Sequence, residues 1–125
     1  MKQNEHQEQT ALFRWAEFSA IKHPELGLMF AIPNGGHRHK VVASRMKAEG
    51  VKRGVPDICL PVPRDGYHGL YIEMKTARGT VSKEQKLWLR QLQTQGYRVA
   101  VCRGWEAARG LIQNYLNPTE ENQYG

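Results

Sequence analysis

The chain has 125 residues and a formal net charge of +6, enough to bury one real core but not two, so a single domain is expected. Its pI of about 9.6 favours a polyanionic partner, while no apolar run nears the roughly 20 residues of a bilayer span and the N-terminal segment lacks the apolar stretch of a signal peptide. Cys59 and Cys102 each lie in an apolar strand-like run and form no CxxC pair, so they read as small buried hydrophobes in a reducing, cytoplasmic compartment and exclude a zinc ribbon.

Asn4 with Gln7 three residues on has the form of a capping box, and Ala11, Leu12, Trp15, Phe18 and Ile21 then recur at helical spacing until His23-Pro24. Leu28 to Ile32 is a short apolar run closed by Pro33-Asn34-Gly35-Gly36, a strand entering a tight loop. A helix is predicted from Arg38 to Glu49, with Gly50 placed to end it in the left-handed conformation. Two strands follow, Asp57 to Val62 and Gly69 to Lys75, joined by the breaker-rich Pro63-Arg64-Asp65-Gly66, which predicts an antiparallel pair. Ser82 and Gln85 form a second capping box, opening a helix that carries Trp88, Leu89 and Leu92 and stops at Gly96. Tyr97 to Cys102 is the last strand. Trp105 to Leu116 is the last helix, with Ala108, Leu111, Ile112 and Tyr115 inward, and residues 118–125 make a polar tail. The order predicts an α/β fold: a mixed β-sheet flanked by helices, with the long crossover allowing the last two strands to run parallel.

Within the second strand of the pair, side-chain alternation sends Leu70, Ile72 and Met74 to one face and Tyr71, Glu73 and Lys75 to the other. Pro56 has no amide for a ladder and suits a strand start, which sets Asp57 at the mouth of the sheet. A register that brings Asp57 beside Glu73 creates an oxygen-rich site of the kind Mg2+ or Mn2+ occupies, to which the carbonyl of Met74 could add a ligand. A cation there would polarise a phosphodiester, and Lys75 would orient or deprotonate water or neutralise developing charge. Glu-x-Lys alone is common on strands as a solvated pair of little value; its pairing with Pro56-Asp57 is what points to hydrolysis of a nucleic-acid backbone. His37, Arg38, His39 and Lys40 follow the Asn34-Gly35-Gly36 loop and precede a helix start, where amides and cationic side chains can hold a phosphate, and Lys47, Lys52, Arg53 and Arg78 lie on segments near the expected site. Individually most of these would be solvated surface charge.

Pro56-Asp57 with Glu73-Met74-Lys75 resembles the PD-(D/E)XK nuclease motif. Together with Pro33-Asn34-Gly35-Gly36, Glu49-Gly50-Val51, Gly54-Val55-Pro56-Asp57 and Ser82-Lys83-Glu84-Gln85, it resembles the VRR-NUC branch of that superfamily, in particular small stand-alone phage and bacterial members, over about Glu5 to Leu116. The resemblance implies a restriction-endonuclease-like fold, a nuclease domain over residues 1–117, dependence on Mg2+ (or Mn2+), and hydrolysis of DNA. It also implies an acidic residue on the first helix at the metal site and a glutamine lining it. Glu8, one turn before Leu12, takes the first role, with Glu5 as its rival on the same side; Gln85 takes the second beside its capping role.

The leading expectation is a structure-selective endonuclease similar to Holliday-junction resolvases, acting on branched DNA as a homodimer. A flap or fork nuclease, or a loosely specific nickase, is the nearest alternative. A non-catalytic nucleic-acid-binding module and an assembly factor in a phage or mobile-element complex are the alternatives of other classes.

Overall fold

A computed structural model describes residues 4–33 and 40–118. Asn4 caps the first helix, α1 (Glu5–Ser19), through the reciprocal bonds of the expected capping box: Gln7 N donates to Asn4 Oδ1 (2.8 Å) and Asn4 N to Gln7 Oε1 (2.9 Å). Leu12 and Ala16, one turn apart, form its buried stripe. Phe18 and Ile21 do not extend that stripe: Phe18 points some 120° away from Leu12 on a helical wheel, Ile21 falls beyond the helix, and they are 77% and 81% exposed.

A 3-10 turn, Pro24–Leu28, replaces the start of the expected first strand and buries Leu26, leaving β1 as only Phe30–Ala31. Helix α2 (Lys40–Ala48) closes as predicted. Gly50 N donates to Lys47 O (3.1 Å) and Val51 N to Met46 O (2.9 Å), with Gly50 at φ 98°, a six-to-one and five-to-two closure that needs a left-handed residue at that point. No residue of α2 is buried.

Strands β2 (Ile58–Leu60) and β3 (Leu70–Lys75) pair antiparallel, and β3 runs parallel to β4 (Arg98–Arg103) after helix α3 (Lys83–Thr94). Among the described residues these strands make one sheet of order β1-β2-β3-β4. Beyond β2 and β3 the chain turns through Asp65 (φ 50°) and Gly66 (φ 85°), bracketed by a bridge between Arg64 and Tyr67. An Asp-Gly pair with both φ values positive suits a two-residue hairpin turn, whose twist matches that of the strands it joins.

The core lies where Ile58 and Leu60 of β2, with Leu70, Ile72 and Met74 of β3, meet Leu12 and Ala16 of α1 and Ala108 and Ile112 of the last helix, α4 (Trp105–Leu116). Leu111, expected inward, is only half-buried against it. Cys102 joins this core and Cys59 is buried too, and both are free thiols. Helix α4 is tied at both ends by charged side chains of the sign its dipole favours. Glu8 Oε2 accepts from Trp105 N (3.2 Å) at its start, and Arg64 Nε donates to Leu116 O (3.1 Å) at its end. No helix among the described residues is long and apolar enough to cross a membrane.

Candidate metal centre

Register does most of the positioning. Ile58 faces Ile72 across the β2-β3 pair, so one step outward sets Asp57 against Glu73, the register on which the sequence reading of a metal site depends. Asp57 is held on both sides of the chain: its carbonyl accepts from Ile32 N (2.7 Å), and its Oδ2 accepts from Met74 N (2.7 Å). The Met74 amide is thereby committed to Asp57, while the Met74 side chain lies in the core.

Glu73 is 1% exposed and Lys75 9%. They stand on the face of β3 opposite Ile72 and Met74, the side-chain alternation of a strand. Lys75 Nζ approaches Glu73 Oε2 at 3.6 Å, and Gln85 Nε2 donates to the same oxygen at 3.0 Å. Gln85 can do this because its other end is occupied: Gln85 Oε1 accepts from Ser82 N (2.8 Å) while Gln85 N donates to Ser82 Oγ (3.1 Å). Capping and site contact are thus two ends of one amide.

Glu73 Oε1 is buried with no hydrogen-bond partner among the described residues. Carboxylate oxygens of Glu5, Asp57 and Glu73 all lie within 4.8 Å of one another. Burial, then the charge of Asp57, push the Glu73 carboxyl up to about 8; Lys75 acts in the opposite direction and Glu5 adds a further upward push. Three carboxylates in so small a space repel unless a proton or a cation joins them. An oxygen-only donor set with one orphaned buried oxygen fits a hard divalent cation, which prefers carboxylates, carbonyls and water.

The first-helix residue is therefore a correction. Glu5 reaches the cluster, and Glu8 turns its carboxylate to the start of α4. Helical spacing places both residues on one side of α1, which is why it could not choose between them. The deciding signal lies elsewhere in the chain: α4 begins after Gly104, which has no side chain to cap the helix, so its first amides need an acceptor from another element.

The basic residues are less concentrated. Asn34, Gly35, Gly36 and Arg38, with His37 and His39, lie outside the described residues. Lys40 opens α2 and is exposed, as are Lys47, Lys52, Arg53 and Arg78. Gly54 (φ 88°) brings the Lys52-Arg53 loop to the wall of the site, because a Cβ there would stand 2.8 Å from Glu84 Cβ, in the first turn of the helix that carries Gln85. Only a residue without a side chain permits that approach.

Sequence reasoning missed Arg103. Its Nη1 donates to the carbonyls of Thr76 (2.9 Å) and Gly79 (2.6 Å), with Ala77 at 3.5 Å, and so clamps the loop between Lys75 and α3. A lone arginine at the end of a strand carries no local signal for such a contact.

The family model of the VRR-NUC domain matches residues 3–106. A solved structure described as a VRR_NUC domain protein superposes with a TM-score of 0.79 at 28% identity, covering 93% of this chain and 90% of that one. Among curated proteins, none matches this sequence.

Proposed function

The chain belongs to the VRR-NUC family of nuclease-like domains, and from that premise we propose that it is a metal-dependent DNA endonuclease that hydrolyses phosphodiester bonds. The observation that carries the reading is the buried Glu73 carboxylate, set beside Asp57 and Glu5 with one oxygen unpartnered among the described residues. Glu5, Asp57 and Glu73 would hold a divalent cation, Mg2+ or Mn2+, with the Met74 carbonyl as a further ligand. When bound, such a cation supplies Lewis-acid polarisation of the phosphate and lowers the pKa of coordinated water.

The chain's own residues do the rest. Asp57, pinned by the Met74 amide, presents a carboxylate whose direction is fixed before substrate arrives. Gln85 holds Glu73 in one orientation and keeps Oε2 occupied, leaving Oε1 free to face the cation. Lys75, held close to Glu73, is placed to orient the attacking water or to neutralise charge on the phosphoryl oxygens. Lys40, Lys52 and Arg53, with Asn34, Gly35, Gly36 and Arg38, would position the DNA backbone rather than read bases.

The substrate we favour is branched DNA, cut by a homodimer in the manner of a Holliday-junction resolvase; a flap or fork nickase is the nearest rival. We also place the protein in the cytoplasm, as a phage or mobile-element product. The test incubates purified protein with a four-way junction, a flap, linear duplex and single strand, in Mg2+, Mn2+ or chelator, beside Asp57→Asn and Lys75→Ala. Metal-dependent cuts, strongest on branched substrates and lost in both variants, are expected. Equal binding by all three proteins without cleavage of any substrate would replace this reading with a non-catalytic binding module. Sedimentation with and without the junction reports whether the cutting species is paired.

A further inference from the structure

The helix that supplies Glu5 has an outer side that no other element covers completely. Glu5, Gln9 and Phe13 follow one another at four-residue spacing, and His6, Thr10 and Arg14 form the neighbouring row. Both rows line a cleft of about 440 Å³ that also takes in Asp57 and Glu17. Glu5 and Asp57 thus belong at once to the carboxylate cluster and to the cleft wall. A DNA strand whose phosphate meets the cation can therefore continue directly into this space.

We propose that the cleft seats the nucleotide next to the scissile phosphate, with its base against the Phe13 ring and an adjoining phosphate held by Arg14. The inference rests on the nuclease reading and adds to it a strand path and two contact residues. Phe13 packs partly on the core and also lines the cleft, so its ring is braced, and aromatic rings accept any base because every base has a flat face. Arg14 is exposed and makes no ion pair among the described residues. It lies nine residues beyond Glu5, about 13 Å along the helix axis, too far to share the phosphate that meets the cation and suited instead to a neighbouring one.

Charge decides when a strand can enter. Glu5, Asp57 and Glu17 face the cleft against His6 and Arg14, so in the absence of a cation it repels a polyanion. A divalent cation on Glu5 and Asp57 reverses that balance near one end. Glu17, one turn past Phe13, stays acidic at the other end and limits how far a strand can run along the helix.

The test is equilibrium binding of a fluorescently labelled four-way junction and duplex to the full chain, in Ca2+ or chelator and over a range of salt. It compares wild type, Arg14→Gln and Phe13→Leu on substrates carrying a single abasic site on either side of the cut position. Arg14→Gln is expected to weaken binding several-fold and to lower the slope of log affinity against log salt by about one. Removing the adjacent base should cost wild type roughly tenfold, and Phe13→Leu should lose about as much on the intact substrate yet be insensitive to the abasic site. An unchanged salt slope in Arg14→Gln, together with equal abasic penalties in wild type and Phe13→Leu, overturns the proposal. If Phe13→Leu fails to fold, the salt slope and the wild-type abasic penalty decide alone. Cleavage in Mg2+ is scored in parallel: cutting without these binding effects removes the cleft and leaves the nuclease, while these binding effects without cutting remove the nuclease and leave the cleft.

Discussion

Both faces of β3 are shielded from water toward its Lys75 end, and there they are built from opposite materials. Leu70, Ile72 and Met74 fill one face against α1 and α4, whereas Glu73 and Lys75 occupy the other beside Gln85 of α3. On the first face burial and chemistry agree, and each side chain contributes by leaving water. On the second they conflict. Glu73 has one oxygen shared by Lys75 and Gln85 and one with no partner among the described residues, a costly arrangement unless a further group completes it. A domain of this size tolerates such a defect when the function requires it.

The sharpest way to break the comparison is to alter one face and leave the other. Lys75→Ala and Asp57→Asn should each reduce cleavage by about 10³-fold or more, since groups acting as one unit fail together, with thermal midpoints close to wild type. Ile72→Ala, one residue from Glu73 on the opposite face, should instead cost about 2–5 kcal/mol of stability, measured by urea unfolding. If both faces lost stability equally and activity fell only in proportion to the folded fraction, the distinction would fail.

A smaller and more diagnostic effect concerns pH. The Glu73 carboxyl is raised to about 8 in the fold, chiefly by burial and by Asp57, against an ordinary value near 4.3 in the unfolded chain. Between these values the folded state holds a proton that the unfolded state has released. Without divalent cation, stability relative to Glu73→Gln should therefore fall as pH rises from about 4.5 to about 8 and level off above that. Saturating Mn2+ should abolish the trend, because the cation holds Glu73 ionised in the folded chain as it is in the unfolded one, and no proton is then exchanged over that window. Unfolding midpoints of the two proteins across pH, with and without cation, test both expectations.

What sequence made legible follows the same division. The antiparallel pair, its Asp-Gly turn and the parallel β4 follow from local signals, but the turn alone does not set the register: the Arg64–Tyr67 bridge is one residue out of step with the Leu60–Leu70 pairing that sets Asp57 against Glu73. Both capping boxes form as read, and the second places Gln85 on Glu73. The choice of Glu5 over Glu8 was not legible, because it depends on α4, almost a hundred residues away, needing an acceptor at Trp105. Periodicity, for a related reason, shows that a helix has a face but not whether another element covers it, and Val41 and Val42 of α2 are exposed.

The smallest expected effect belongs to Arg103, whose contacts no local pattern signals. Arg103 sits opposite Lys75 in the parallel register, and its guanidinium holds the carbonyls of Thr76 and Gly79. That loop connects Lys75 to Ser82 and Gln85, so releasing it loosens both contacts to Glu73 Oε2 at once. Arg103→Ala should lower the cleavage rate by a few-fold while stability changes by only about 1 kcal/mol, the range of an exposed hydrogen-bonded contact. Arg103→Lys should restore the rate in part, because the carbonyls are all reached from the single nitrogen Nη1, whose place an ammonium can take. The salt dependence of DNA binding separates this positioning role from a direct phosphate contact. A clamp leaves the slope unchanged, and a slope smaller by about one in Arg103→Ala would assign the residue to the DNA backbone instead.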